Sequence, residues 1–122
     1  MSDEDWKIAG NEAALERLDN WHKHVISDRR LSGTAFRFLG FVYLYCARHD
    51  VTVCPIREIA DDMFDHDLAT KRTIKRVHAQ TVTLGYLLPV GDTHVRVNPK
   101  LSDAPPAHWV DADMSTMVPR EH

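Results

Sequence analysis

The segment from Ser32 to Arg48 carries apolar side chains at nearly every angle around a helix: Ala35, Phe36, Phe38, Leu39, Phe41, Val42, Leu44 and Cys46. Such a helix has little polar face to offer water, so other elements must cover it on most sides. Its longest apolar stretch, Phe38 to Ala47 with Gly40 inside, is ten residues long and follows Arg37. A membrane span needs roughly 18. The segment is therefore expected to be the central core helix of a soluble fold. Ser32 is placed to cap its start, and Arg48 and His49 suit the negative pole of its dipole. With 122 residues, 43% hydrophobic and 27% charged, the chain has material for one such domain.

The remaining elements must supply that cover. From Asn11 to Ile26 the apolar residues Ala14, Leu18, Trp21 and Val25 recur in steps of four, three and four, which is helical spacing. Asn11 is a candidate cap. Val51 to Cys54 reads as a short strand. Pro55, suited to the first turn of a helix, opens a third helix to about Phe64. Asp67 is the expected cap of a fourth helix, Leu68 to Leu84, stopped by Gly85. Tyr86–Val90 and Thr93–Val97 read as a hairpin around a two-residue Gly91-Asp92 turn. Pro89 assigns its first strand to an edge, and alternation gives the second a buried face (Val95, Val97) and a wet one (His94, Arg96). Ser102 to Pro106 reads as a linker to a mobile tail containing Trp109. The expected division is an N-terminal amphipathic helix over 1–27, a folded unit over 28–101 and a tail over 102–122.

Helix, helix, strand, helix, helix, hairpin is the element order of a winged helix-turn-helix domain with one helix added in front. Three local stretches carry the resemblance. Leu31-Ser32-Gly33-Thr34-Ala35-Phe36-Arg37 is similar to the opening of such domains in phage, plasmid and bacterial regulators and replication initiators. Val53-Cys54-Pro55-Ile56-Arg57-Glu58-Ile59-Ala60 resembles their strand-Pro-helix approach to the first motif helix. Thr73-Ile74-Lys75-Arg76-Val77, followed by Leu84-Gly85-Tyr86-Leu87, resembles their recognition helix and its exit into the wing. The likeness covers about residues 28–100. One departure is the stretch Phe64–Ala69 between the motif helices, which is longer than the usual tight turn and lacks glycine. The resemblance implies a mainly α fold with a small β-hairpin wing, and double-stranded DNA as the partner.

Charge distribution agrees with that implication. The net −3 divides into −3 over residues 1–27, +3 over 28–100 and −3 over 101–122, so an overall acidic balance conceals a basic middle. On the fourth helix Thr70, Ile74, Val77, Thr81 and Leu84 share one stripe, expected on the core. The opposite side presents Arg72, Lys75, Arg76, Ala79 and Thr83, flanked by Lys71, Thr73 and Gln80. No acidic residue lies between Leu68 and Gly91, whereas a solubilising face mixes signs. Arginine suits a guanine edge, and lysine a phosphate or a guanine as a point charge. The candidate DNA contacts are Thr70, Lys71, Arg72, Thr73, Lys75, Arg76, Ala79 and Thr83, with Arg57 at the third helix and His94 and Arg96 in the wing. Arg29 and Arg30, ahead of the core helix, are further backbone candidates.

Catalytic patterns are missing: there is no glycine-rich phosphate loop and no nucleophile elbow. Asp61-Asp62 and Asp65-x-Asp67 suit turns and caps better than a metal. Cys46, His49 and Cys54, with His66, offer zinc ligands, but apolar neighbours make buried reduced cysteines the better reading. No enzyme, cofactor or metal is expected. The function expected is sequence-specific DNA binding by a transcriptional regulator or a replication or partition factor in the cytoplasm. The alternative is a protein-interaction adaptor on the same fold. A homodimer is expected through the Ala14–Leu18–Trp21–Val25 stripe, and the N-terminal helix or the tail is open to a protein partner.

Overall fold

The structure, a computed structural model, describes residues 12–107. Its elements run α1 (Glu12–Ser27), α2 (Gly33–His49), β1 (Val53–Pro55), α3 (Ile56–Asp65), α4 (Lys71–Thr83), β2 (Leu87–Val90) and β3 (His94–Val97). The fold is mainly helical with a small antiparallel sheet in the order β1-β3-β2. No described helix is long and apolar enough to cross a membrane. The expected Asn11 cap and the tail from residue 108 onward, Trp109 included, lie outside the described residues.

α2 organises the rest. The Ser32 hydroxyl accepts the Ala35 N–H at 3.1 Å and caps its start. Its inner face, Ala35, Phe38, Leu39, Val42 and Cys46, is fully buried, with α1, α3, α4 and β1 packed against the helix. Each large side chain so buried contributes about 1.5–3 kcal/mol. The expectation of cover on most sides is corrected: Phe36 is 40% and Leu44 51% exposed.

α1 belongs to this same core. Leu18, Trp21 and Val25 are buried, with Ala14 packed at their edge. The Trp21 Nε1–H donates to the Tyr86 carbonyl at 2.8 Å, across 65 residues of chain. The stripe expected to meet a symmetry mate is therefore occupied within the chain. The linker expected from Ser102 is also corrected. A 3-10 turn at Pro99–Leu101 leads the chain onto α1, where Asn20 donates to the Ser102 carbonyl at 3.3 Å and His24 Nε2 to the Ala104 carbonyl at 2.9 Å. Arg17 and Asp103 pair at 2.6 Å, and Pro106 is buried.

The first strand begins at Val53 rather than Val51, and Pro55 is its last residue and the cap position of α3, just outside the helix. The hairpin pairs Val90 with His94, so its loop is the three residues Gly91, Asp92 and Thr93. Gly91 supplies the left-handed φ of 63° that this loop uses. β2 is an edge strand, where Pro89 removes no needed donor.

The lead-in to α2 is pinned by Asp28, whose side chain is 8% exposed. Its carboxylate accepts from Arg30 Nη2 at 2.6 Å, Arg30 Nε at 3.0 Å, the Arg30 backbone N–H at 2.8 Å and the Tyr86 hydroxyl at 2.6 Å. Arg30 holds the carboxyl well below its ordinary 3.8, and the Tyr86 hydrogen bond acts in the same direction. Burial lowers His22 and His78 below their ordinary 6.5. All three groups bind protons more readily when unfolded, so their contributions weaken with acid. The histidine part is full above pH 6.5 and declines below it; the Asp28 part is full above 3.8 and declines below that. Thermal melts from neutral to acid pH should show stability falling in both windows. Asp28→Asn should cost about 1–3 kcal/mol at neutral pH and remove the more acidic of the two losses. An unchanged acid profile in that variant would show that Asp28 is not its source.

Candidate nucleic-acid interface

α4 starts three residues later than its sequence pattern implies, and the cause is local. Asp67 does not cap it. Asp67 takes the left-handed φ of 57° and fills the turn position where a glycine is usual. The Leu68 N–H returns to the Met63 carbonyl at 2.8 Å, closing the end of α3. Leu68 and Ala69 then cross to Thr70, whose hydroxyl accepts the Thr73 N–H at 3.3 Å and lies 3.0 Å from the Thr73 hydroxyl. Thr70 is exposed rather than part of the core stripe, and Leu84, the C-cap residue, is half-buried. Gly85, at φ 87°, ends the helix as expected.

Ile74, Val77 and Thr81 anchor α4 in the core. The half-buried His78 sets its ring edgewise to Phe38 at 6.5 Å. The opposite face is open: Arg72, Lys75, Arg76, Ala79 and Thr83 are all exposed, as is Lys71. Two of its cations, Lys71 and Arg72, stand in the first turn, where no acidic residue is present. Cations there oppose the positive pole of the helix dipole, so the arrangement reinforces an anion-attracting end rather than neutralising it.

Arg57 joins this group. A cleft of about 500 Å³ between α3 and α4 is lined by Arg57, Ala60, Asp61 and Phe64 on one side and Lys71, Ile74 and Lys75 on the other. This convergence depends on how α3 and α4 cross, which no sequence spacing encodes; Asp61 in the cleft wall was likewise not anticipated. Among the described residues Arg57, Lys71, Arg72, Lys75 and Arg76 make no side-chain hydrogen bond or ion pair. The one carboxylate lining the cleft with them is that of Asp61.

Other candidates are placed differently. Thr70 and Thr73 are engaged in the helix cap. His94 and Arg96 are half-buried rather than on a wet face. Arg96 stands opposite both Val53 and Leu88 in the central strand, away from the hairpin tip, and His94 Nδ1 is bonded to the Thr93 hydroxyl at 2.8 Å. The tip itself holds Asp92. Arg30 is committed to Asp28, while Arg29 is exposed.

The zinc constellation is not assembled among the described residues. Cys46 and Cys54 are free and buried beside each other, and their hydrogen bond together with burial keeps the Cys54 thiol protonated. His49 is exposed, its ring 4.2 Å from that of Tyr45. No described cluster of three or more His, Cys, Asp or Glu is placed to hold a metal ion.

No family model, curated protein or solved structure matches this chain.

Thr70→Ala should cost about 1 kcal/mol through loss of the cap, measured by urea denaturation. Asp67→Gly should be neutral or stabilising, because glycine takes a positive φ without a Cβ penalty. The reverse order would return the cap to Asp67.

Proposed function

We propose that this chain is a winged helix-turn-helix protein that binds double-stranded DNA in a sequence-specific way, as a transcriptional regulator or a replication or partition factor. The observation that carries the reading is the set of five exposed, unpaired cations, Arg57, Lys71, Arg72, Lys75 and Arg76, gathered at the start of an α4 that contains no acidic residue. The element order and the β1-β3-β2 sheet support the fold part of the reading. An adaptor would place mixed charges or paired cations on the α4 face, whose four cations have no acid on the same helix and one carboxylate, Asp61, across the cleft; such an excess of one sign favours a polyanion.

Roles follow from position. Arg72 and Arg76 project from the open face of α4 and suit base edges in a major groove, where a guanidinium meets guanine through two hydrogen bonds. Lys71, Lys75 and Arg57 surround the α3–α4 cleft and suit a phosphate of the backbone. Exposed Ala79 allows close approach, and Thr83 is left as a contact at the far end of the face. His94 and Arg96 would act from the sheet as secondary contacts.

Selection of bound duplex from a random pool, followed by salt titration of the winners, tests this. One sequence class should be enriched. Arg76→Ala should weaken the selected site by about 1–3 kcal/mol and relax preference at one position. Lys71→Ala should weaken all duplexes alike and lower the salt slope by about 1. Undiminished binding by the combined Arg72→Ala, Lys75→Ala and Arg76→Ala variant would overturn the proposal.

A further inference from the structure

The outer surface of the α1–α2 pair is unlike the rest of the molecule. Among the described residues five large hydrophobics are exposed, and four of them, Leu15, Ile26, Phe36 and Leu44, belong to these two helices. Leu15, Asp19, His22 and Ile26 fall in steps of four, three and four along one side of α1. Beside them runs a groove of about 380 Å³ with walls of Phe36, Phe41, Tyr43 and Leu44 and a floor at Gly40. Its α1 side is held firm: His22 stacks on Tyr43 at a ring separation of 4.3 Å, and the Tyr43 hydroxyl donates to Asp19 at 2.6 Å.

Gly40 is a second, independent observation. Glycine inside a helix is destabilising relative to alanine. Yet a Cβ at Gly40 would meet nothing within 4 Å, so no contact among the described residues requires its absence. What the missing side chain provides is an open floor for something approaching from outside.

The charges around the groove select its occupant. α1 carries the exposed acids Glu16 and Asp19 with a half-buried Lys23 beside them, whereas α2 carries the exposed bases Arg37 and Arg48 and no acid. A two-fold axis running along the helices lays α1 of one copy on α2 of another, twice over. The acid-bearing α1 of each copy then lies over the acid-free α2 of the other, with Leu15 and Ile26 set against its groove. An axis across the helices would instead set the α2 arginines against each other. Isologous interfaces need this self-complementarity.

We propose that the outer α1–α2 face is an interface between two copies of this chain, related by a two-fold axis parallel to the helices. The inference stands apart from the DNA reading, because no residue of the face belongs to α4 or the hairpin. A dimer joined here leaves both α4 cation faces open.

Sedimentation equilibrium of the full chain without DNA, from micromolar to millimolar concentration, is the test. The weight-average mass should rise from 14.0 kDa toward twice that value. Leu44→Asp and, separately, Gly40→Lys should each raise the dissociation constant at least about tenfold, while circular dichroism melts keep the monomer folded. Gly40→Lys has the stronger helix former at that position, so its loss of association cannot be charged to unfolding. Arg48→Glu should weaken association, and adding Glu16→Arg should restore it. A 14.0 kDa species at every concentration would overturn the proposal. So would a dimer indifferent to Leu44→Asp and Gly40→Lys, or a charge swap that restores nothing. Because DNA is absent, none of these outcomes bears on duplex binding, and failed duplex binding would leave the mass measurement unaffected.

Discussion

The inner face of α2 is the constraint on which the other elements depend. Phe38, Leu39 and Val42 are each fully buried, and α1, α3, α4 and β1 all pack on this one helix. A 122-residue chain has little other apolar surface on which to build a core. α1 is held there by shape and by a polar lock. Trp21 donates to the Tyr86 carbonyl, and Tyr86 donates in turn to Asp28 beside the start of α2. One tyrosine thus ties the end of α1, the lead-in to α2 and the base of the hairpin. The buried indole N–H and the Asp28 carboxylate would be costly to leave unpaired, so the lock specifies the arrangement as well as stabilising it.

The same lock explains why the chain segment after the hairpin is part of the fold. Asn98 Nδ2 donates to the Gly85 carbonyl at 2.7 Å, and the Asn98 N–H donates to the Tyr86 carbonyl at 3.0 Å. The exit strand is thereby returned to the residues that receive Trp21. Ser102 to Ala104 then lie along the Arg17–Asn20–His24 side of α1. α1 is consequently gripped from two directions, by α2 and by the C-terminal strap. Among the described residues, Leu15 and Ile26 remain exposed on its other side.

Helices and their order were legible from the sequence because each rests on local patterns: the Leu18–Trp21–Val25 stripe, the Ser32 cap, Gly85 after α4. The errors arose where two local rules competed or where tertiary contact decided. Asp67 and Thr70 are both good caps by type, but only Thr70 follows the residues that close α3 through the Leu68–Met63 hydrogen bond. A Gly-Asp pair suits a two-residue turn, yet the Val90–His94 register requires three. Pro105-Pro106 has the composition of a linker, and nothing local announces that Asn20 and His24 will bind the backbone just before it. In the candidate site the α4 cations were readable from helical spacing alone. Arg57 meeting Lys71 and Lys75 across a cleft was not, since it depends on the α3–α4 crossing.

The division of α4 into two faces separates the residues that hold the fold from the exposed cations. Ile74, Val77 and Thr81 hold the helix to the core, whereas Arg72, Lys75, Arg76 and Ala79 are exposed. Fold stability therefore places few demands on the exposed face, and its composition can follow a ligand. A face shaped only by solubility would have no reason to concentrate four cations in six residues at the positive end of a helix dipole. Their mutual repulsion is an unfavourable term in the free protein. A polyanion laid on that face turns the same term into attraction, so the feature that makes local sense least for the isolated chain is the one a nucleic acid would exploit most directly.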